Sequence, residues 1–240
     1  FAEFVSHGFW TALDWIYPPV CAACGEPGYR LCVNCQSKIK FYKNHDRSIT
    51  SGKLDDMKGH EPAHDPSVRI LAEHEGVMRE CVHALKYGNN HGIGEMLAVW
   101  LAEMVKEEGW QVDLVVPVPL SKQRHKERGY NQAARIAKPL ALRLGLAYSS
   151  FAVDRVRETR SQVGLSVAER QLNVSGAFSA VPSIVNDKQI LLVDDVITTG
   201  ATMRACSKAL LLAGALSVVC VSAAGLPRKK PVSVLIKHPV

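Results

Sequence analysis

The sequence predicts an α/β fold in which a small cysteine-held ribbon precedes a parallel sheet with flanking helices. Three observations carry this. Short apolar runs at 112–116, 190–193 and 215–223 alternate with helical patterns at 94–106, 131–144 and 203–213, the order that gives parallel strands joined by crossover helices. The runs at 112–116 and 190–193 are unbroken rather than alternating, as expected of strands covered on both faces. Four of the seven cysteines stand as C-x2-C-x7-C-x2-C, at Cys21, Cys24, Cys32 and Cys35.

The first 43 residues read as one unit. Phe4, Phe9, Leu13 and Ile16 recur at helical spacing and predict an amphipathic helix that packs on a core. The segment carries acids and no basic leader, so it is not read as a signal peptide. The two cysteine knuckles can converge their thiolates on one Zn²⁺. Four sulfur ligands leave no open position, so the metal is expected to be structural and to drive folding of so small a ribbon. An odd cysteine total, with Cys81, Cys206 and Cys220 isolated in apolar patterns, argues against a disulfide framework and for a reducing cytoplasm.

Residues 44–66 are polar, with scattered Gly and Pro, and read as a linker. Residues 67–226 then form the α/β domain. A strand is expected at 67–72, helices at 76–86 and 94–106, and a strand at 112–116 ended by Pro117 and Pro119. A helix at 131–144 is stopped by Gly145. A strand at 151–156, a short helix at 166–173, a strand at 190–193, a helix at 203–213 and a strand at 215–223 complete it. Residues 227–240 are a basic tail. The 47% hydrophobic and 22% charged composition is that of a soluble globular protein. No apolar run reaches the roughly 20 residues that span a bilayer. The net charge of +6 gathers at Lys122, Arg124, Lys126 and Arg128, at Arg155, Arg157 and Arg160, and at Arg228, Lys229 and Lys230. A polyphosphate and a nucleic acid would both favour such clusters.

The chemistry concentrates at 190–202, ILLVDDVITTGAT. An apolar strand leads to Asp194 and Asp195, then to Thr198, Thr199, Gly200, Ala201 and Thr202 at a helix start. Backbone N–H groups at a helix N-terminus suit a phosphate, and the threonine hydroxyls add donors. Gly200 lets the backbone approach closely. A carboxylate pair is wrong for phosphate but right for ribose hydroxyls and a nearby Mg²⁺. Together these residues describe a phosphosugar site. The stretch resembles the 13-residue signature of the type I phosphoribosyltransferases, whose ligand is phosphoribosyl diphosphate (PRPP).

Two further segments bear on that site. After the strand at 112–116 comes a basic loop with Arg124, Lys126 and Arg128, whose guanidinium groups can grip a diphosphate bidentately. The segment 155–178 is polar, rich in arginine and turn formers, and includes Arg160. Its composition fits a flap that closes over ligand and equally an ordinary surface excursion.

The knuckles, with EGVMRECVHALKYG, VPVPLSKQRHKERGYNQA, RVRETRSQVGLSVAERQLNV and LLVDDVITTGATM in that order, resemble the ComF family, associated with natural competence and DNA uptake in bacteria. The resemblance implies a zinc ribbon joined to a type I phosphoribosyltransferase fold, with PRPP and Mg²⁺ at the site and single-stranded DNA as a partner. Asp194 and Asp195 would hold the ribose hydroxyls, and Thr198, Thr199, Gly200, Ala201 and Thr202 the 5′-phosphate. Arg124 and Arg128 fall on the family's basic loop, which would bear the charge of the leaving diphosphate, and Arg160 in the arginine-rich segment is a further catalytic candidate. Lys86 and Tyr87 fall on the family's LKY motif, where Lys86 could reach the diphosphate. Transferases of the hypoxanthine type carry an Asp where this chain has Thr198, and that Asp handles the base proton. Here arginines, which stay protonated, line the flap. The chain therefore shows a PRPP cradle and no evident acid or base for an acceptor.

Three functional classes follow. One is an enzyme that transfers phosphoribose to an acceptor. Another is a PRPP-responsive protein that grips single-stranded DNA through its basic segments and ribbon, with Tyr29, Phe41, Tyr42 and Tyr130 as stacking candidates and Tyr42 foremost. The third is a scaffold that docks a helicase or another competence protein.

Overall fold

The structure, a computed structural model, describes residues 19–42, 66–88, 90–157 and 176–226. The helix expected at the N-terminus, the linker and the tail lie outside these residues, as does the 166–173 helix.

The ribbon opens with a tight knuckle. Cys21 N–H donates to Glu26 O at 2.8 Å and Gly25 N–H to Cys21 O at 2.9 Å. Gly25 and Gly28 take positive φ of 78° and 87°, conformations open to glycine. The second knuckle runs into a one-turn helix, α1 (Val33–Gln36), with Cys32 at its N-cap.

The α/β body runs β1 (Ser67–Glu73), α2 (Gly76–Tyr87), α3 (His91–Glu108), β2 (Leu114–Pro117), α4 (Lys122–Arg128) and α5 (Gln132–Leu144). It continues through β3 (Ala147–Tyr148), β4 (Val153–Arg155), β5 (Phe178–Ala180), α6 (Pro182–Val185), β6 (Gln189–Ile197), α7 (Ala201–Leu212) and β7 (Ser217–Gly225). Five strands pair in the order β1-β7-β6-β2-β3, all parallel, and β4 and β5 form a separate antiparallel pair.

The unbroken apolar run of β6 is explained by its two covers. Leu191 and Val193 enter one core with Met78 and Leu85 of α2, Leu97 and Leu101 of α3, and Ile136 and Leu140 of α5. Ile190 and Leu192 enter the opposite core with Met203, Cys206 and Leu210 of α7 and Phe178 of β5. Each side chain at these positions is removed from water on one face or the other, each fully buried one contributing about 1.5–3 kcal/mol.

The ribbon is not set apart from this body. Cys21, Leu31, Cys32, Cys35 and Ile39 belong to the same core as α2 and α3. Residues 40–42 lie antiparallel along β1, with Tyr42 N–H on Leu71 O at 3.0 Å and Glu73 N–H on Lys40 O at 2.9 Å. They cover the edge strand, which would otherwise expose a row of unpaired backbone groups.

Two local differences from the sequence reading matter for the site. The basic segment expected as a loop is the helix α4, capped by Ser121, whose Oγ accepts from Arg124 N–H at 3.3 Å, and closed by Gly129 at φ 76°. The strand expected to end at residue 193 continues as β6 to Ile197, so both aspartates are strand residues.

Candidate functional site

The longer β6 creates the site. Strand β2 pairs with β6 only as far as Pro117 opposite Val193, where proline ends it. On its other side β6 stays paired with β7 through Asp194 opposite Ser222 and on to Ile197 opposite Gly225. Asp194 and Asp195 therefore sit at the C-terminal end of the sheet beside a notch left by β2. Ligands of open parallel sheets bind at such strand ends.

Successive strand residues point to opposite faces, so the two carboxylates have different surroundings. Asp195 is 14% exposed and pairs with Lys86, the penultimate residue of α2, at 2.9 Å between Nζ and Oδ2. Asp194 Oδ1 accepts from Asp195 N–H at 2.9 Å. Burial, and then the charge of Asp195, push the Asp194 carboxyl well above the ordinary carboxylate range. One lysine against two carboxyl groups leaves an excess of oxygen acceptors. That arrangement fits hydroxyl donors and a cation and opposes a phosphate.

Beyond Ile197 the chain turns. Gly200 stands at φ 75° and ψ 0° as the N-cap of α7. Ala201 N–H reaches Thr199 Oγ1 at 3.4 Å, and the Arg204 guanidinium donates to Thr199 O at 2.8 Å. Thr198 is exposed and Gly200 and Ala201 are buried. The turn thus presents the start of a 12-residue helix next to the acidic pair.

The basic helix meets the end of α2. Arg128 donates from Nη2 to Tyr87 Oη at 3.2 Å and lies over its ring at 5.1 Å, while His83 packs 4.8 Å from the same ring. Tyr130 Oη donates to Leu85 O at 2.8 Å, and Asn131 Nδ2 to Val118 O at 2.9 Å. Lys86, Tyr87 and Arg128 thus gather at the notch. Arg124 is exposed on α4. The antiparallel pair β4–β5 is the stem of the arginine-rich segment, with Arg155 over the Phe178 ring at 5.6 Å. Arg160, expected in that segment, lies outside the described residues.

Sequence reasoning missed two residues. His74 follows β1 directly, and its N–H donates to Gly225 O at 2.6 Å. It therefore sits at the sheet end beyond β7. Burial and the nearby Lys86 charge lower its pKa, Arg79 adds to this, and Asp195 opposes them. Only the strand order, which lays the N-terminal β1 beside the C-terminal β7, brings it here. Arg204 lies four residues after Gly200 in a helix, a spacing that could have been read as facing the turn.

The aromatic candidates fare differently. Tyr42 is buried and donates its hydroxyl to Leu226 O at 3.0 Å, so it cannot stack on a base. Phe41 packs edge-on against Trp100 at 5.2 Å. Tyr29 keeps an exposed ring.

The ribbon sulfurs fit zinc. Those of Cys21, Cys24, Cys32 and Cys35 all lie within 4.8 Å of one another, and Cys24 and Cys32 are 3.7 Å apart. A tetrahedral site with Zn–S of about 2.3 Å separates its sulfurs by roughly 3.8 Å. Cys32 N–H points at Cys21 Sγ at 3.4 Å, as in a knuckle that supports a thiolate. Burial and then the neighbouring thiols push the Cys35 thiol up to about 12. Among the described residues no helix is long and apolar enough to cross a membrane.

Residues 86–235 match the phosphoribosyl transferase domain, and residues 12–48 match the double zinc ribbon domain. Competence protein F of Haemophilus influenzae is 31% identical over 201 residues, covering 80% of this chain and 83% of that protein. The DNA utilization protein YhgH of Salmonella typhimurium is 38% identical over 57% of this chain and 62% of its own length. Competence protein ComFC of Streptococcus pneumoniae is 28% identical over 63% of this chain and 65% of its own. The chain therefore belongs to the ComF family, a phosphoribosyl transferase-type domain carrying an N-terminal structural zinc ribbon.

Proposed function

We propose that this protein binds PRPP and acts in natural competence, in the uptake or processing of incoming single-stranded DNA in the cytoplasm. The observation that carries the PRPP reading is the placement of Asp194 and Asp195 on β6 just past the end of β2 pairing, directly before the turn that opens α7. Ribose hydroxyls donate to Asp194 and Asp195, and the 5′-phosphate lies on the turn of Thr198, Thr199, Gly200, Ala201 and Thr202. Lys86, Arg124 and Arg128 stand on the side where β2 ends, the side open to a diphosphate. Lys86 pairs with Asp195 at 2.9 Å, so it holds that carboxylate in place beside the turn. Mg²⁺, carried in on the diphosphate, would screen its charge. Arg160, which lies outside the described residues, is a further candidate for bearing the charge of the diphosphate. The competence role follows from the relatives named above. The exposed basic face of α4 supports DNA as a partner, and a helicase or other competence protein is a further candidate partner.

A second reading, transfer of phosphoribose to an unidentified nucleobase or amine, is favoured by one observation. His74 stands at the same sheet end, its pKa lowered by burial and the nearby Lys86 charge, and its imidazole can take a proton. In that reaction the bond from the anomeric carbon to the diphosphate oxygen breaks, and the diphosphate leaves with the electron pair. The acceptor nitrogen bonds the carbon and its proton passes to His74. Diphosphate release from Mg²⁺-PRPP, with mixed nucleobases, small amines or single-stranded DNA supplied, separates the readings. Release that needs both an acceptor and the Asp pair makes the protein a transferase. PRPP binding without release leaves it a PRPP-responsive DNA-handling protein, and no PRPP binding overturns both.

A further inference from the structure

Arg204 is the fourth residue of α7, at the close of its first turn. Its Nη2 donates to Thr199 O at 2.8 Å, and its backbone N–H donates to Gly200 O at 2.9 Å. A β-carbon placed on Gly200 would stand 3.1 Å from its Nη1. The guanidinium therefore lies against the outer side of the turn. A cation near a helix N-terminus works against the helix dipole, and the ion pairs among the described residues do not include Arg204. The charge-assisted hydrogen bond to Thr199 O offsets that cost and fixes the guanidinium on this carbonyl.

Peptide geometry carries that bond to the site. The described peptide bonds are all trans, so the carbonyl of one residue and the N–H of the next point in opposite directions across the same plane. Holding Thr199 C=O on the guanidinium turns the Gly200 N–H away from Arg204, toward the inner side of the turn. A charged donor on the carbonyl also polarises the peptide and makes that N–H a stronger donor.

We propose that Arg204 is a positioning residue for a phosphomonoester dianion, fixing the Thr199–Gly200 peptide so that the Gly200 N–H faces the phosphoryl oxygens. The inference rests on the phosphosugar reading of the turn and adds a residue to it. Arg204 does not touch the ligand; it orients and strengthens a donor that does.

The test titrates full-length protein with ribose 5-phosphate and, separately, with Mg²⁺-diphosphate, in the wild type, Arg204→Met and Arg204→Lys. The Gly200 amide resonance is followed in each. Wild type is expected to bind both, with a downfield shift of the Gly200 amide only for ribose 5-phosphate. Arg204→Met should bind ribose 5-phosphate about tenfold more weakly, lose that shift, and bind diphosphate within about twofold of wild type. Arg204→Lys, which keeps one charged donor, should recover part of both affinity and shift. Unchanged ribose 5-phosphate binding in Arg204→Met overturns the proposal and leaves the phosphosugar site standing. So does an equal loss for both ligands, which marks a loosened fold. Failure of the wild type to bind either ligand removes the site itself and the inference with it.

Discussion

Burial and the charge of Asp195 raise the Asp194 carboxyl above its ordinary range, so its ionisation costs the folded state stability. The stability consequence has a definite sign. A group whose folded pKa is raised contributes stability that is full below its unfolded value, near 3.9 for Asp, and is lost as pH rises through the folded value. Asp194→Asn keeps an acceptor for Asp195 N–H and removes the charge. It should raise stability by about 1 kcal/mol at pH 7 and flatten the decline that begins above the unfolded value of about 3.9, measured by urea unfolding, while abolishing PRPP binding. Lys86→Met should do the reverse, lowering stability by about 1–2 kcal/mol at pH 7, because it leaves two adjacent carboxylates without their partly buried cation. Gly200→Ala sets a β-carbon at φ 75° and 3.1 Å from Arg204 Nη1. It should cost about 1–2 kcal/mol and weaken phosphate binding. The Asp pair, Gly200 and the four cysteines were legible because their chemistry depends on neighbours a few residues away. The partner of Lys86 was not, since α2 and β6 meet only through the sheet.

At the level of elements, α2 joins the two ends of the molecule. Its Met78, Cys81, Val82 and Leu85 share a core with Cys21, Cys32 and Cys35, and its last turn carries Lys86 to Asp195 and Tyr87 to Arg128. Zinc removal should therefore reach the site. Chelation, or Cys24→Ser, is expected to lower Tm by on the order of 10 °C and to weaken Mg²⁺-PRPP binding in parallel. Tm and calorimetric affinity measured on the same samples check this. Loss of zinc with unchanged PRPP affinity would show the ribbon to be independent of the site. Hydrophobic periodicity located α2, α3, α5, β6 and α7 because each buries one face or two. It missed the extension of β6 to Ile197, because Asp194 and Asp195 interrupt the apolar run while the backbone pairing with β7 continues through them. It read α4 as a loop because no residue of that helix is buried and no apolar stripe marks it.

Across the whole molecule, the strand order β1-β7-β6-β2-β3 puts the signature strand in the middle of the sheet. The basic helix after β2 lies on one side of its end and His74 after β1 on the other. That order is a tertiary fact, and no local pattern in residues 66–74 announces that β1 lies beside β7. The sign and clustering of charge were readable from composition, and they support a DNA prediction. If α4 meets single-stranded DNA, affinity should fall steeply with salt, by about 0.7 in log–log slope for each phosphate neutralised. Lys122→Gln with Lys126→Gln should reduce that slope. The measurement closest to the central claim is the calorimetric titration of Mg²⁺-PRPP into wild-type protein and into Asp194→Asn/Asp195→Asn. Saturable binding at one site in the wild type, lost in the doubly substituted protein while its zinc content and Tm are kept, is the predicted result. No heat in the wild type, or equal affinity in both proteins, would contradict the PRPP site.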